Sequence, residues 1–255
     1  MLAIAKHTLL RLRRQKAPTL AAYFAVLLLV VYYLGLQGFA QYALPIATLA
    51  HPAGIANLFA MLFAVFLGAT LFSDDKSCNF TRTMMTKPVA PWQYVAGRLL
   101  GCTALLAMVW AALCTILVVM MLVDGDAISV RLIFALGFAF FGQMIILALT
   151  TLLSQFLAPL ISGVLALLLS DKIFYSFSMN IDQFDGPASI KWIGQFVVRI
   201  AYYIVPQVSE FQLWGTHNYY YLIDPVRTTM AALYALGYLL LAYAATVVFF
   251  ERSKW

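Results

Sequence analysis

Side chains able to do chemistry gather in one stretch, DDKSCNFTRTMMTKPVAPWQYVAGRLLG, residues 74–101, which sets acids, bases and hydroxyls between long apolar runs. Asp74 and Asp75 precede a short segment with helical potential and can favour its positive end. Arg82 and Lys87 present cations, and Pro88 and Pro91 stiffen the return of the chain. Trp92 and Tyr94 are natural interface anchors, while Gly97 and Gly101, four apart, permit close helix contact. These residue types fit contact and transmission of force better than bond-making, because a short rigid helix passes on a displacement that a serine-glycine loop would absorb. The plainer reading is a solvated loop whose charges fix topology. Asn79-Phe80-Thr81 matches a glycosylation acceptor, but its expected inner location makes the match incidental.

Elsewhere the chemical signals are thin. Cys102 and Cys114 lie in apolar sequence on different helix faces, and Cys78 is alone in a polar loop, so no pair has metal-ligand spacing. His51 and His217 have no cysteine nearby, and Met120, Met121 and Met179 read as membrane packers before copper ligands. Asp171 and Lys172, near the end of an apolar run, can pair or approach headgroups. Tyr202, Tyr203, Trp214, Tyr219, Tyr220 and Tyr221 read first as interfacial anchors and second as an outer contact surface for a ligand or partner. No glycine-rich phosphate loop followed by Lys and Ser or Thr is present, so ATP hydrolysis by this chain alone is not expected. No Asp/His or Ser/His constellation points to an enzyme, no cofactor is expected on this chain, and nothing points to nucleic acid as a partner.

The elements that must hold these residues are membrane helices. Only 10% of the 255 residues are charged, against about 25% in a soluble domain. Several apolar runs approach or exceed the roughly 20 residues that cross a bilayer. Spanning segments must satisfy their own backbones, and these runs are too long for porin strands, so an all-α integral membrane bundle is expected. Six spans are predicted, over about 17–39, 53–73, 98–123, 132–152, 156–177 and 229–250. The fourth and fifth are divided by a weak break at LSQFLAP, with Pro159 in the first turn of the next helix. The first run is too long for a signal-peptide core and lacks a small-residue cleavage site, so it is read as an anchor.

Basic residues orient the bundle. With the N-terminus in the cytoplasm, Lys6, Arg11, Arg13, Arg14, Lys16, Lys76, Arg82, Lys87, Arg98, Arg252 and Lys254 are inside, and only Arg131, Lys172, Lys191, Arg199 and Arg227 are outside. Residues 1–16 form a predicted interfacial helix, with Leu2, Ala5, Leu9 and Leu12 on one side and Lys6, His7, Arg11, Arg13 and Arg14 away from it. Residues 178–228 form an extended outer segment. FSMNIDQFDGPAS reads as loop, and IKWIGQFVVRIAYYIVP reads as a helix at the outer interface or a short re-entrant element.

Four stretches then converge on one family: IAKHTLLRLRRQK at the entry, residues 74–101 with their acidic opening, KPV turn and glycine-rich third span, IAYYIVPQVSEFQLW before the last span, and FFERSK at the end. In these the chain resembles the permease subunits of ATP-binding cassette transporters of the ABC-2 type. It is most similar to the branch associated with multicopper-enzyme maturation and copper-site assembly in nitrous oxide reductase. The resemblance covers nearly the whole chain by topology and implies one transmembrane domain over 1–255, a coupling region within 74–92, and a bacterial inner-membrane location with both termini cytoplasmic. It implies two permease halves, identical or related, with ATP and Mg²⁺ held by separate cytoplasmic ATPase subunits. It further implies that Ser77, Asn79, Thr81, Arg82, Met84, Met85 and Lys87 contact those subunits. One departure is Asp74 and Asp75, where the family loop is usually glutamate-rich.

The leading expectation is therefore an ATP-driven permease. Its cargo is of unknown identity, with a lipid-like molecule or a factor in copper-enzyme assembly in view. The alternative is an assembly or signal-coupling complex that moves an extracytoplasmic accessory protein without passing a small cargo.

Overall fold

The computed structural model describes residues 2–14, 52–77, 90–123, 130–170, 206, 208–211 and 225–252, with Thr19, Tyr23, Val26, Leu27 and Val30 helical within the predicted first span. All the regular structure among them is helical: α1 (Leu2–Arg14), α2 (Pro52–Ser77), α3 (Pro91–Val123), α4 (Val130–Leu153), α5 (Pro159–Ser170), a 3₁₀ turn (Val208–Phe211) and α6 (Pro225–Arg252). Three stretches are both long and apolar enough to cross a membrane: Pro91–Val123, Leu132–Leu153 and Thr229–Arg252. The molecule is a multi-span membrane-helix bundle. Its outer surface shows Leu100, Met108, Val119, Phe134, Leu160, Leu240 and Leu241, apolar side chains that lipid can cover.

Helix α4 is central. It packs on α2, α3, α5, α6 and the 3₁₀ turn, whereas α1 packs on α3. Apolar side chains gain little by leaving lipid for a protein interior, so helices in a bilayer associate through close packing and hydrogen bonds. Glycines mark where that packing is closest. A Cβ on residue 68 of α2 would lie 2.8 Å from the Thr150 Cβ and 2.9 Å from the Leu147 carbonyl oxygen of α4. A Cβ on residue 163 of α5 would lie 2.7 Å from Val65 of α2. Between α3 and α4, Trp110 Nε1–H donates to the Leu136 carbonyl oxygen at 3.1 Å.

Several boundaries differ from the sequence expectation. The helix that carries the third expected span begins at Pro91, ahead of residue 98 where that span was expected to start. Proline suits the first helical position, where its missing N–H has no partner to lose, and the helix then runs through Arg98 because bundle contacts, not headgroups, surround that cation. Helix α2 continues through Asp74, Asp75 and Lys76 to Ser77, so the two acids fall in its last turn; the short helix expected after them lies outside the described residues. The break between spans four and five is a turn over residues 154–157, with Pro159 opening α5. The part of the fifth span beyond residue 170, the predicted helix over 190–204 and most of the first span lie outside the described residues.

Within the segment 178–228, expected to lie outside with an interfacial helix or a re-entrant element, one described turn packs into the bundle. Val208 and Phe211 of its 3₁₀ turn are buried, and Phe211 stacks on Phe138 of α4 with centroids 6.2 Å apart and planes at 9°. A Cβ on Gly142 would lie 2.9 Å from the Phe211 Cβ, so glycine there admits the turn. Gly142 is at the middle of the apolar stretch Leu132–Leu153. Non-helical backbone at such a level is tolerated where protein covers it.

Candidate functional site

One end of the bundle gathers the helix ends that flank the connector 78–89, which itself lies outside the described residues. Helix α2 ends there at Ser77 and α3 starts there at Pro91, so the connector 78–89 joins them at that end. Helix α1 docks on the first turns of α3. Thr8 of α1 is fully buried, and a Cβ on Gly101 would lie 2.7 Å from the Thr8 Cβ and 2.9 Å from the Ala5 carbonyl oxygen. The last turns of α6 close the same end: Phe250 packs between Phe72 of α2, at 5.7 Å, and Tyr94 of α3, at 5.4 Å. Tyr243 O–H donates to the Trp92 carbonyl oxygen at 2.9 Å. The turn between α4 and α5 is there too, with Gln155 Nε2–H donating to the Thr246 carbonyl oxygen at 3.1 Å. The described parts of both terminal helices, the connector ends and the α4–α5 turn thus share one end.

Arg98 is the polar centre of this junction. It is almost wholly buried, donates from Nη1 to Thr8 Oγ1 at 3.4 Å, and its Cζ stands 5.8 Å from the centroid of Tyr94. Thr8 Oγ1–H in turn donates to the Ile4 carbonyl oxygen at 2.9 Å. Guanidinium is planar, always charged and well suited to stacking on an aromatic face. Arg98 was counted by sequence as a loop cation that sets orientation; the structure makes it a helix-to-helix tie. Tyr94, read as an interface anchor, belongs to the core, while Trp92 beside it is 46% exposed. The face of α1 that meets α3 centres on Thr8 with Ile4 and Ala5, and Leu2 of the expected apolar stripe is 84% exposed.

A second polar group lies at the middle of the bundle. Gln143 of α4 and Asn57 of α2 are both buried, and Gln143 Nε2–H donates to Asn57 Oδ1 at 3.1 Å. Sequence reasoning looked for ionised groups at depth and passed over these neutral amides. A signal was available: each is the one amide side chain of its helix, set among apolar neighbours.

Of the residues expected to touch ATPase subunits, Ser77 is the last residue of α2, and Asn79, Thr81, Arg82, Met84, Met85 and Lys87 lie outside the described residues. Gly97 and Gly101 are buried in α3, and Gly101 meets α1. Tyr202, Tyr203 and Trp214, with His51, His217, Met179 and Cys78, lie outside the described residues. Cys102 is buried and Cys114 half-buried within α3. Among the described residues no three His, Cys, Asp or Glu side chains group as a metal site.

Comparison with known protein families finds none that matches this chain, and comparison with characterised proteins finds no match either.

Proposed function

We propose that this chain is the permease half of an ATP-driven transporter of the ABC-2 type, working as a dimer of identical or related halves with separate ATPase subunits. The observation that carries this reading is the tie between α1 and α3 through Thr8, Gly101 and Arg98, at the end of the bundle where the connector 78–89 begins and ends. A push on that connector reaches α2 and α3 directly, and α1 moves with α3 because the two are locked together. The shared end of the described terminal helices accords with an even number of spans, and the excess of Lys and Arg at that end supports placing it in the cytoplasm of a bacterial inner membrane. The apolar walls suit a lipid-like cargo or a factor in copper-enzyme assembly.

A second reading has its own observation. Because the turn Val208–Phe211 is seated on α4, motion of α4 would also move the outer segment that contains it. In that reading the complex drives an extracytoplasmic partner without passing a small cargo.

The test is Arg82→Glu in the complex purified from its native membrane and reconstituted. Insertion of the chain should be unchanged, while binding of the ATPase subunits and their hydrolysis should both fall. A complex that contains no ATPase, or unchanged values of both quantities, would overturn the reading.

A further inference from the structure

The amide pair at the middle of the bundle is not in its best bonding arrangement. Gln143 Nε2–H donates to Asn57 Oδ1 at 3.1 Å, but Asn57 Nδ2 is turned to the Met61 Sδ at 3.8 Å. Gln143 Oε1 is buried and, among the described residues, has no hydrogen-bond partner. Thioether sulfur is a weak acceptor, and an unmet amide oxygen in a low-dielectric interior is destabilising. Two primary amides can instead bond reciprocally, each donating to the other's oxygen. Turning the Asn57 amide from sulfur to Gln143 Oε1 would exchange an N–H···S contact for an N–H···O bond and fill the empty acceptor. A shift of α2 against α4 that brings Asn57 Nδ2 towards Gln143 Oε1 would supply that second bond.

The same two helices carry a pivot. Gly68 lets the α2 backbone lie against Leu147 and Thr150 of α4. Asn57 is eleven residues away along α2, a lever of roughly 16 Å at 1.5 Å per residue. A tilt of about 4° over that lever moves Asn57 by about 1 Å, on the scale of the helix shifts that switch packed interfaces.

We propose that Asn57 and Gln143 form a two-state latch between α2 and α4. The structure holds the one-bond state, and a small tilt of α2 about Gly68 makes the reciprocal two-bond state. This property belongs to the bundle itself and does not depend on an ATP-driven partner.

The Met61 methyl reports the exchange, because the sulfur beside it loses its donor when the latch closes. The experiment records methyl spectra of the full chain in lipid nanodiscs, with ¹³C-methyl methionine and the Met61 signal assigned through Met61→Leu. In the wild type, that methyl should show two resonances or microsecond-to-millisecond exchange broadening. The matched apolar pair Asn57→Leu with Gln143→Leu should fold with undiminished thermal stability, since both partners leave together, and should give one sharp Met61 resonance. The swapped pair Asn57→Gln with Gln143→Asn, which keeps one amide on each helix, should restore the exchange. A single unexchanging Met61 signal in the wild type, or exchange that persists in the leucine pair, would overturn the latch.

Discussion

The side chain of Thr8 and the bare Cα of Gly101 face each other so closely that residue 101 has no room for a methyl group: it would stand 2.7 Å from the Thr8 Cβ and 2.9 Å from the Ala5 carbonyl oxygen. One of those neighbours is backbone, which cannot swing aside. Gly101→Ala should therefore push α1 off α3 and lower stability by about 1–3 kcal/mol. Chemical or SDS unfolding of the purified chain in detergent measures this. Gly137→Ala is the comparator, since nothing lies within 4 Å of a Cβ built there; it should gain about 0.5–1 kcal/mol, as glycine in a helix usually does when replaced by alanine.

The contact between Arg98 and Thr8 joins residues 90 apart in sequence. A double-mutant cycle with Arg98→Met and Thr8→Val should give a coupling of about 1 kcal/mol, read from unfolding of the four proteins. Additive single effects would mean that the 3.4 Å contact holds nothing together. Arg98→Lys should lose much of the wild-type stability, because a point charge cannot reproduce a planar group over the Tyr94 ring.

Phe211 seats the 3₁₀ turn on Phe138 and Gly142. Phe211→Ala should cost about 3 kcal/mol through lost contacts and the cavity left behind. Hydrogen exchange of the backbone over residues 208–211 should rise sharply while that of α4 changes little. Gly142→Val should produce the same exchange pattern by overfilling the contact.

At the end of the bundle where α1 meets α3, Phe250 is 1% exposed between Phe72 and Tyr94. Phe250→Ala should lower stability by about 3–5 kcal/mol. The bond from Tyr243 to the Trp92 carbonyl is solvent- or headgroup-facing, and Tyr243→Phe should cost only about 0.5 kcal/mol. Thermal unfolding in detergent should rank the two in that order.

What could be read without coordinates was whatever the chain writes locally. Runs of apolar residues gave the all-helical, multi-span character, because lipid forces each spanning segment to satisfy its own backbone. Pro159 announced the start of α5, since proline fits a first helical turn and little else in a helix. The start of α3 was placed too late because an arginine in the sequence looks like the edge of an apolar run. Arg98 is accommodated by Thr8 and Tyr94, and the Thr8 half of that shelter comes from a helix 90 residues earlier in the sequence. The amides were visible singly, one in each helix, but only the packing of α2 on α4 makes Asn57 and Gln143 one group. The 3₁₀ turn gave no apolar run long enough to betray its seat beside Gly142.

Helix α3 has 33 residues, a rod of about 50 Å at 1.5 Å per residue. Hydrocarbon about 30 Å thick cannot swallow it. Even a lean of about 40°, the steep end for membrane helices, leaves several ångströms standing clear. The rod is therefore also a gauge of bilayer thickness. Thin and thick membranes would grip it at different heights, and α1, fastened near its first turns, would ride with it against the headgroups.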